Sequence, residues 1–433
     1  MVGAAEAVAI GLALAPDARS HLAAYLGLLA AGSLLALCAA QSLSGSRPAL
    51  VLACGAALRL TLLARDPDVS DDVRRYAWDA RVGAAGISPY AHAPADPALA
   101  TLAPDLLPGL PHADVRTVYP PVAQAAFRGA GALGPGALPL KALFAAADLS
   151  VVALIYTLGG TGAGWAAALY AFHPLPILES AGQGHLDSLG VALLLAALVY
   201  LRRGGREAWA GVAFALAVLT KYMPAAATLP LLRRGRAAFA AAALAVGIPV
   251  ILAATRGGVT PAGGLGEYAT RWEFNAVAYP ALVTMLEWGE VPERAKEEFL
   301  LLKARLDHPT WTGSVFPFFS AGFFARVLLA IYLSAALIAI ARRIRDTETA
   351  VFASLAALLL ASPTLHPWYL LWVLPFAACR REPAFLYLSF AALLAYALLY
   401  PVPGLTPSIV YALEYVPFAV LLVFGLRARG ART

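Results

Sequence analysis

The sequence predicts an all-α polytopic membrane protein with roughly 12–14 transmembrane helices in one bundle, since apolar runs that could each span a bilayer recur from end to end. Three observations carry that expectation. Of 433 residues, 61% are hydrophobic and 13% charged, against about 25% charged in a soluble domain. Apolar runs such as 21–40, 237–254, 323–340 and 409–426 approach the roughly 20 residues that cross a bilayer. The arginines cluster in short segments at the ends of such runs, which places those segments in the cytoplasm. The net charge of +6 is therefore explained by topology, and no nucleic-acid partner is expected.

Taken in order, residues 2–15 are apolar with no basic region before them, so they read as a first span and not as a cleavable signal. Starting inside, spans near 2–16, 21–41 and 49–64 lead outside at Arg65. Segment 65–138 is then a first long extracytoplasmic loop. Spans near 139–157, 163–178 and 187–201 return the chain to Arg202, Arg203 and Arg206. Stretch 208–232 ends at Arg233, Arg234 and Arg236, so it enters and leaves on one side, and it carries "TKYMP" at 220–224. A broken helix pair meeting at Lys221 and Pro224 satisfies both facts. Span 237–255 leads to a second long outside loop, 256–320. Spans near 321–341, 349–362, 367–379, 383–400 and 409–426 leave the C-terminus inside, with Arg342, Arg343, Arg345, Arg380, Arg381, Arg427, Arg429 and Arg432 on the cytoplasmic side.

The whole chain, 1–433, reads as a single integral membrane domain. Cys38, Cys54 and Cys379 lie in or beside apolar runs and read as packing residues. Abundant Ala, Gly and Arg with only four lysines suit a GC-rich bacterial genome and a bacterial plasma membrane.

Polar residues concentrate in the two long loops and in the turns 179–188 and 362–369, which share one face in this topology. In "VSDDVRRYAWDARVGAAGISPY" (69–90), Ser70 or Asp71 is placed to cap a helix starting at Asp72. Asp72, Tyr76 and Asp79 share a face by i, i+4, i+7 spacing, with Arg75 beside them to pair with either acid. Tyr76 and Trp78 among these charges suit the membrane interface. A carboxylate held there can take a proton from a hydroxyl. "GISPY" (86–90) and "TVYPPVAQ" (117–124) set proline beside Tyr90 and Tyr119, fixing turn and ring.

"ESAGQGHLDSLG" (179–190) gathers Glu179, His185 and Asp187 at a span end, with glycines that permit close approach. One histidine and two acids over nine residues make a weak ligand pattern, so no metal ligand is assigned; sugar hydroxyls or a lipid phosphate are preferred partners. Lys221, alone in an apolar stretch, is a functional candidate by default, with snorkelling to the interface as the plain alternative. "GEYATRWEFNAVAY" (266–279) offers Arg271, Trp272 and Asn275 for sugar stacking and hydroxyl contacts, or for an interface helix. Residues 287–305 mix charges at helical spacing and read as a solvated surface helix. "SPTLHPWYLLW" (362–372) holds His366 between two prolines, with Tyr369 beside it.

In this order, "SDDVRRYAWDARVGAAGISPYAHAP" (70–94), "TVYPPVAQ" (117–124), "GQGHLDSLG" (182–190), "KYMP" (221–224), "RWEFN" (271–275) and "SPTLHPWYLLW" (362–372) resemble the GT-C superfamily of membrane glycosyltransferases. The likeness is greatest to bacterial polyprenol-phosphate-mannose-dependent mannosyltransferases. The resemblance implies a GT-C-like bundle and a polyprenyl-phosphate sugar as donor, with mannose favoured. An acid in the first outside loop would serve as base for inverting, in-line transfer to a lipid or glycan acceptor. Carried over, the base is Asp72 or Asp71, with Asp72 preferred for its spacing to Tyr76. Lys221, Arg271 and His366 become candidates for the donor phosphate. Some members of the superfamily need a divalent cation and others do not, so that cofactor stays open. A monomer among membrane lipids is the default. The rival class is a polyprenyl-lipid or glycolipid flippase. It would favour inverted repeats and midplane charges, whereas the charges here collect at one face.

Overall fold

Long runs of alanine and leucine carry no polar groups to satisfy their backbone, so in an apolar solvent they must close their hydrogen bonds within a helix. A computed structural model describes residues 2–15, 17–233, 236–255, 263–306 and 317–430. Arg234 and Arg432, two of the arginines assigned to the cytoplasmic side, lie outside the described residues, as do residues 256–262 and 307–316 of the second long loop. Among the described residues every regular element is helical, and pairing between extended segments is limited to isolated bridges such as Phe274 with Thr364.

Five helices are long and apolar enough to cross a bilayer: Leu22–Ser42, Leu138–Leu158, Ala237–Ala254, Ala321–Arg343 and Pro407–Arg427. In the apolar stretches of Ala237–Ala254 and Ala321–Arg343 only 6% of the residues are buried, as in helices with one face on the bundle and the rest solvated by lipid. Shorter apolar helices carry most of the other runs, including Val2–Leu14, Pro48–Leu63, Glu207–Thr220, Thr347–Ala361 and Pro383–Leu399. The chain is thus a multi-pass membrane protein. One hydrophobic cluster runs through the bundle from Ala5 to Phe418.

Proline and glycine decide where helices break. The expected break at 208–232 is present: Glu207–Thr220 ends at Lys221, whose backbone is extended (φ −154°, ψ 138°), and a tight turn, Met223–Ala227, leads into Thr228–Leu232. A second break falls where the sequence predicts two plain spans. Helix Ala163–Phe172 stops at His173, before Pro174 and Pro176. A wide π-helical turn follows at Ile177–Gly182, and the segment Pro174–Gly182 meets helix Asp187–Arg202 at 118°. Such turns are rare and recur at functional sites.

Arg202, Arg233 and Arg380, each at the end of an apolar run, stand at one end of the bundle, where they tie helix ends. Arg202 donates to the carbonyls of Thr157 and Leu158 and pairs with Glu348 at 3.0 Å. Arg233 donates to Ala341 O and Arg345 O, and Arg380 pairs with Asp346. Cations at helix C-termini complement the backbone dipole. The opposite end carries the acidic helix Asp72–Ala84, the turn after Gly182, the Lys221 break and the turn 362–366.

Candidate functional site

The acidic segment is held from below by a glutamine. Gln183 Oε1 accepts the backbone N–H groups of Asp68, Val69 and Ser70 at 3.1, 3.1 and 3.2 Å, while its Nε2 donates to Asp68 Oδ1 at 3.0 Å. Gly184 makes this possible. Its φ is +77°, and a Cβ there would sit 3.0 Å from both Lys141 Cγ and Val73 Cγ2. The two adjacent acids then diverge. Asp71 stands at the helix N-cap without a side-chain capping bond; its carboxylate pairs with Arg19 at 2.9 Å. Ser70 Oγ receives the Asp72 N–H in a long contact of 3.4 Å. Asp72, in the first turn of the helix, faces a cleft of about 380 Å³.

The chemistry of that cleft is uneven. Among the described residues lining it, Asp72 is the one carboxylate; the cations are Arg75, Arg116 and Lys221, and His112 and His366 add imidazoles. Aromatic rings line much of the rest: Tyr119, Tyr222, Tyr268, Trp272, Trp368 and Tyr369. Leu265, Met223, Leu358 and Leu359 give it an apolar side. The segment bearing Tyr268 and Trp272 is tied across the cleft. Thr364 Oγ1 donates to Trp272 O at 3.0 Å, and the hydroxyls of Tyr268 and Tyr369 are hydrogen-bonded.

Lys221 reaches the cleft from the helix break. Its Nζ lies 2.7 and 2.8 Å from the two oxygens of the fully buried Asp187 and 4.4 Å from the Tyr369 ring centre. Trp372 Nε1 donates to the same carboxylate at 2.6 Å. That indole fits because residue 190 is glycine: a Cβ there would come within 2.4 Å of the ring. His366 is stacked between Trp368 at 4.3 Å and Phe274 at 4.6 Å. Burial first, and the Lys221 ammonium second, hold its imidazole well below its usual pKa.

Behind the cleft wall lies a buried row. His185 Nε2 is 3.8 Å from Asp72 Oδ2 and 3.0 Å from Ser70 Oγ. Its Nδ1 is 2.8 Å from Glu179 Oε2, close enough to pair electrostatically though off the line of a hydrogen bond. Tyr396 donates to both Glu179 oxygens, at 2.9 and 3.1 Å.

Of the residues singled out in the sequence, the cleft brings together Asp72, Lys221, His366, Tyr119, Trp272 and Tyr369. Glu179, His185 and Asp187 stand one layer behind it, fully buried. Arg75 also lines it, and the others lie elsewhere. Arg75 pairs with Asp79, which also accepts from Thr117 Oγ1 and Gln124 Nε2, so Asp79 fastens the "TVYPPVAQ" loop to the acidic helix. Tyr76 is core, stacked 4.4 Å from Phe127. Tyr90 is buried and donates its hydroxyl to Tyr119 O. Asn275 is buried against Glu414 at 2.7 Å. Arg271 is 61% exposed and pairs with Asp114 and Glu267 outside the cleft. Gln183 and Trp372 sit inside quoted motifs, and their polar or aromatic type between glycines or at a span end is the signal for them. His112 and Arg116 carry no comparable signal. Among the described residues, no three His, Cys, Asp or Glu side chains gather to hold a metal ion.

Fold and cleft together define a multi-pass membrane protein, helical throughout its described residues, with one carboxylate facing cations and aromatic rings at its end. Residues 118–363, more than half of the chain, match the family model of glycosyltransferase family 87. The chain belongs to that family, in keeping with its resemblance to GT-C-type enzymes, and it is a glycosyltransferase. The matched region includes Glu179, His185, Asp187, Lys221 and Trp272, and Asp72 and His366 flank it. No curated protein and no solved structure matches the chain.

Proposed function

We propose that the protein transfers a sugar, mannose by preference, from a polyprenyl-phosphate donor to an acceptor hydroxyl on the extracytoplasmic side of a bacterial plasma membrane, with Asp72 as general base. One observation carries this reading: a single carboxylate stands among cations and aromatic rings in the cleft. The cleft lies at the end of the bundle opposite the capping arginines, the end that the positive-inside rule assigns to the outside.

The chemistry follows from those groups. The acceptor oxygen attacks the anomeric carbon as its proton passes to Asp72. The bond from that carbon to the phosphate oxygen breaks, and polyprenyl phosphate leaves with one more negative charge than the donor phosphodiester carried. Lys221 and Arg116 supply positive charge where this charge grows, and His366 supplies a polar contact. The aromatic rings offer faces to a sugar, and Leu358, Leu359, Met223 and Leu265 offer the lipid an apolar wall. Attack from the side opposite the leaving phosphate inverts the anomeric centre. The acceptor is a lipid or glycan hydroxyl, and the monomer suffices because all these groups come from one chain.

The test is transfer of labelled mannose from polyprenyl-phosphate-mannose by protein reconstituted in nanodiscs. Asp72→Asn is expected to abolish product while Asp71→Asn forms it. Full activity in Asp72→Asn would remove the base assignment. Lipid movement across vesicles without any glycoside formed would replace the enzyme reading with a flippase.

A further inference from the structure

Glu179 is an acid with no access to substrate. It is fully buried at a rare π-helical turn, four residues before a glutamine and six before a histidine that are also fully buried. Burying a carboxylate is costly unless specific partners compensate it, and here the partners form a directed row. Tyr396 donates to Glu179 from one side; His185 Nδ1 faces it at 2.8 Å from the other. The far nitrogen of the same ring faces Ser70 and Asp72. The ring is held flat by Trp368, 3.8 Å away and 17° from parallel, and its own backbone N–H donates to Glu179 O at 2.7 Å.

We infer that His185, oriented by the buried Glu179, is the positioning residue of Asp72. The Glu179 carboxylate beside Nδ1 favours the tautomer with its N–H on that nitrogen, which leaves Nε2 to accept from Ser70 Oγ, and that oxygen in turn receives the Asp72 N–H. His185 touches no substrate. It acts through Ser70, which holds the backbone on which the Asp72 carboxylate is mounted. Glu179 acts only through His185, and Tyr396 only through Glu179. This rests on the proposal that Asp72 is the base.

The experiment measures kcat and KM for the donor in His185→Asn, Glu179→Gln, their double variant, Tyr396→Phe and Asp72→Asn. Expected is a fall in kcat of about 10- to 100-fold in each of the first two variants, the size associated with losing a group that orients a reacting one. KM should stay within about two-fold, because the row makes no ground-state contact. The double variant should be no slower than His185→Asn alone, since groups acting in series are not additive. Tyr396→Phe deletes one hydroxyl and keeps the packing; it should lower kcat several-fold at unchanged KM and is read if the polar variants fail to fold. Full kcat in His185→Asn, losses that multiply in the double variant, or losses confined to KM overturn the inference while Asp72→Asn remains inactive. Activity in Asp72→Asn instead overturns the base assignment beneath it.

Discussion

Two buried ion pairs link neighbouring helices in this bundle, and they differ in one respect. Arg59 and Asp148 face each other between helices Pro48–Leu63 and Leu138–Leu158, with side chains 1% and 0% exposed. Most of the pair's polar groups are hydrogen-bonded, with Arg59 Nη2 in electrostatic contact only. Arg59 Nε donates to Asp148 at 2.6 Å, Nη1 donates to Gly55 O and Ala171 O, and Tyr170 donates to the other carboxylate oxygen at 2.7 Å. Asp187 and Lys221 also pair, but the lysine side chain keeps 17% of its surface exposed, and it lines the cleft. The first pair is closed and holds helices together. In the second, a buried acid holds a cation at the edge of open space, where it can meet another anion.

That contrast can be broken experimentally. The largest effect is expected at the cleft itself: Asp72→Asn should lower kcat by about 10²- to 10⁴-fold, the range for losing a general base, with the melting temperature near wild type. Next, Arg59→Met should leave Asp148 buried and unpaired and destabilise the protein by about 3–5 kcal/mol, measured by thermal unfolding in detergent. Arg59→Met combined with Asp148→Leu should recover most of that loss, and the folded fraction should keep its specific activity. If Arg59→Met instead lowered activity at unchanged stability, the closed pair would be part of the site. Lys221→Met should slow transfer by about 100-fold per folded molecule, as when one charge-stabilising donor is removed, and unlike Arg59→Met its loss of activity should persist when Asp187→Asn relieves the buried charge left behind. The smallest effect is expected at Asp71→Asn. It breaks a part-exposed pair with Arg19, costs at most about 1 kcal/mol, and should leave kcat within about three-fold of wild type, since the carboxylate does not line the cleft.

Much of the architecture was legible because it follows from local chemistry. Apolar runs force helices, prolines at 174, 176 and 224 break them, and arginines end them. The break at Lys221 was legible because basic clusters at both ends of one apolar stretch demand it. The second break was not. Pro174 and Pro176 were in plain view, but a proline within an apolar run marks a kink as readily as a stop, and only packing yields a bend of 118°. Within the site, Asp79 and Tyr76 shared a helical face with Asp72, and that spacing is real; yet the same face rotates within one turn from the cleft into the core against Phe127.

By itself, then, the sequence determined the helical, membrane-spanning character of the chain and its four polar segments. These depend on residue type and spacing alone. Partnership was decided by the tertiary structure. Arg59 and Lys221 send the same signal along the chain, a lone charge in an apolar run. The contacts that separate a strut from a binding group cross 89 and 34 residues. Likewise, Asp71 and Asp72 are adjacent and chemically identical, and only the turn of the backbone sends one to Arg19 and the other into the cleft.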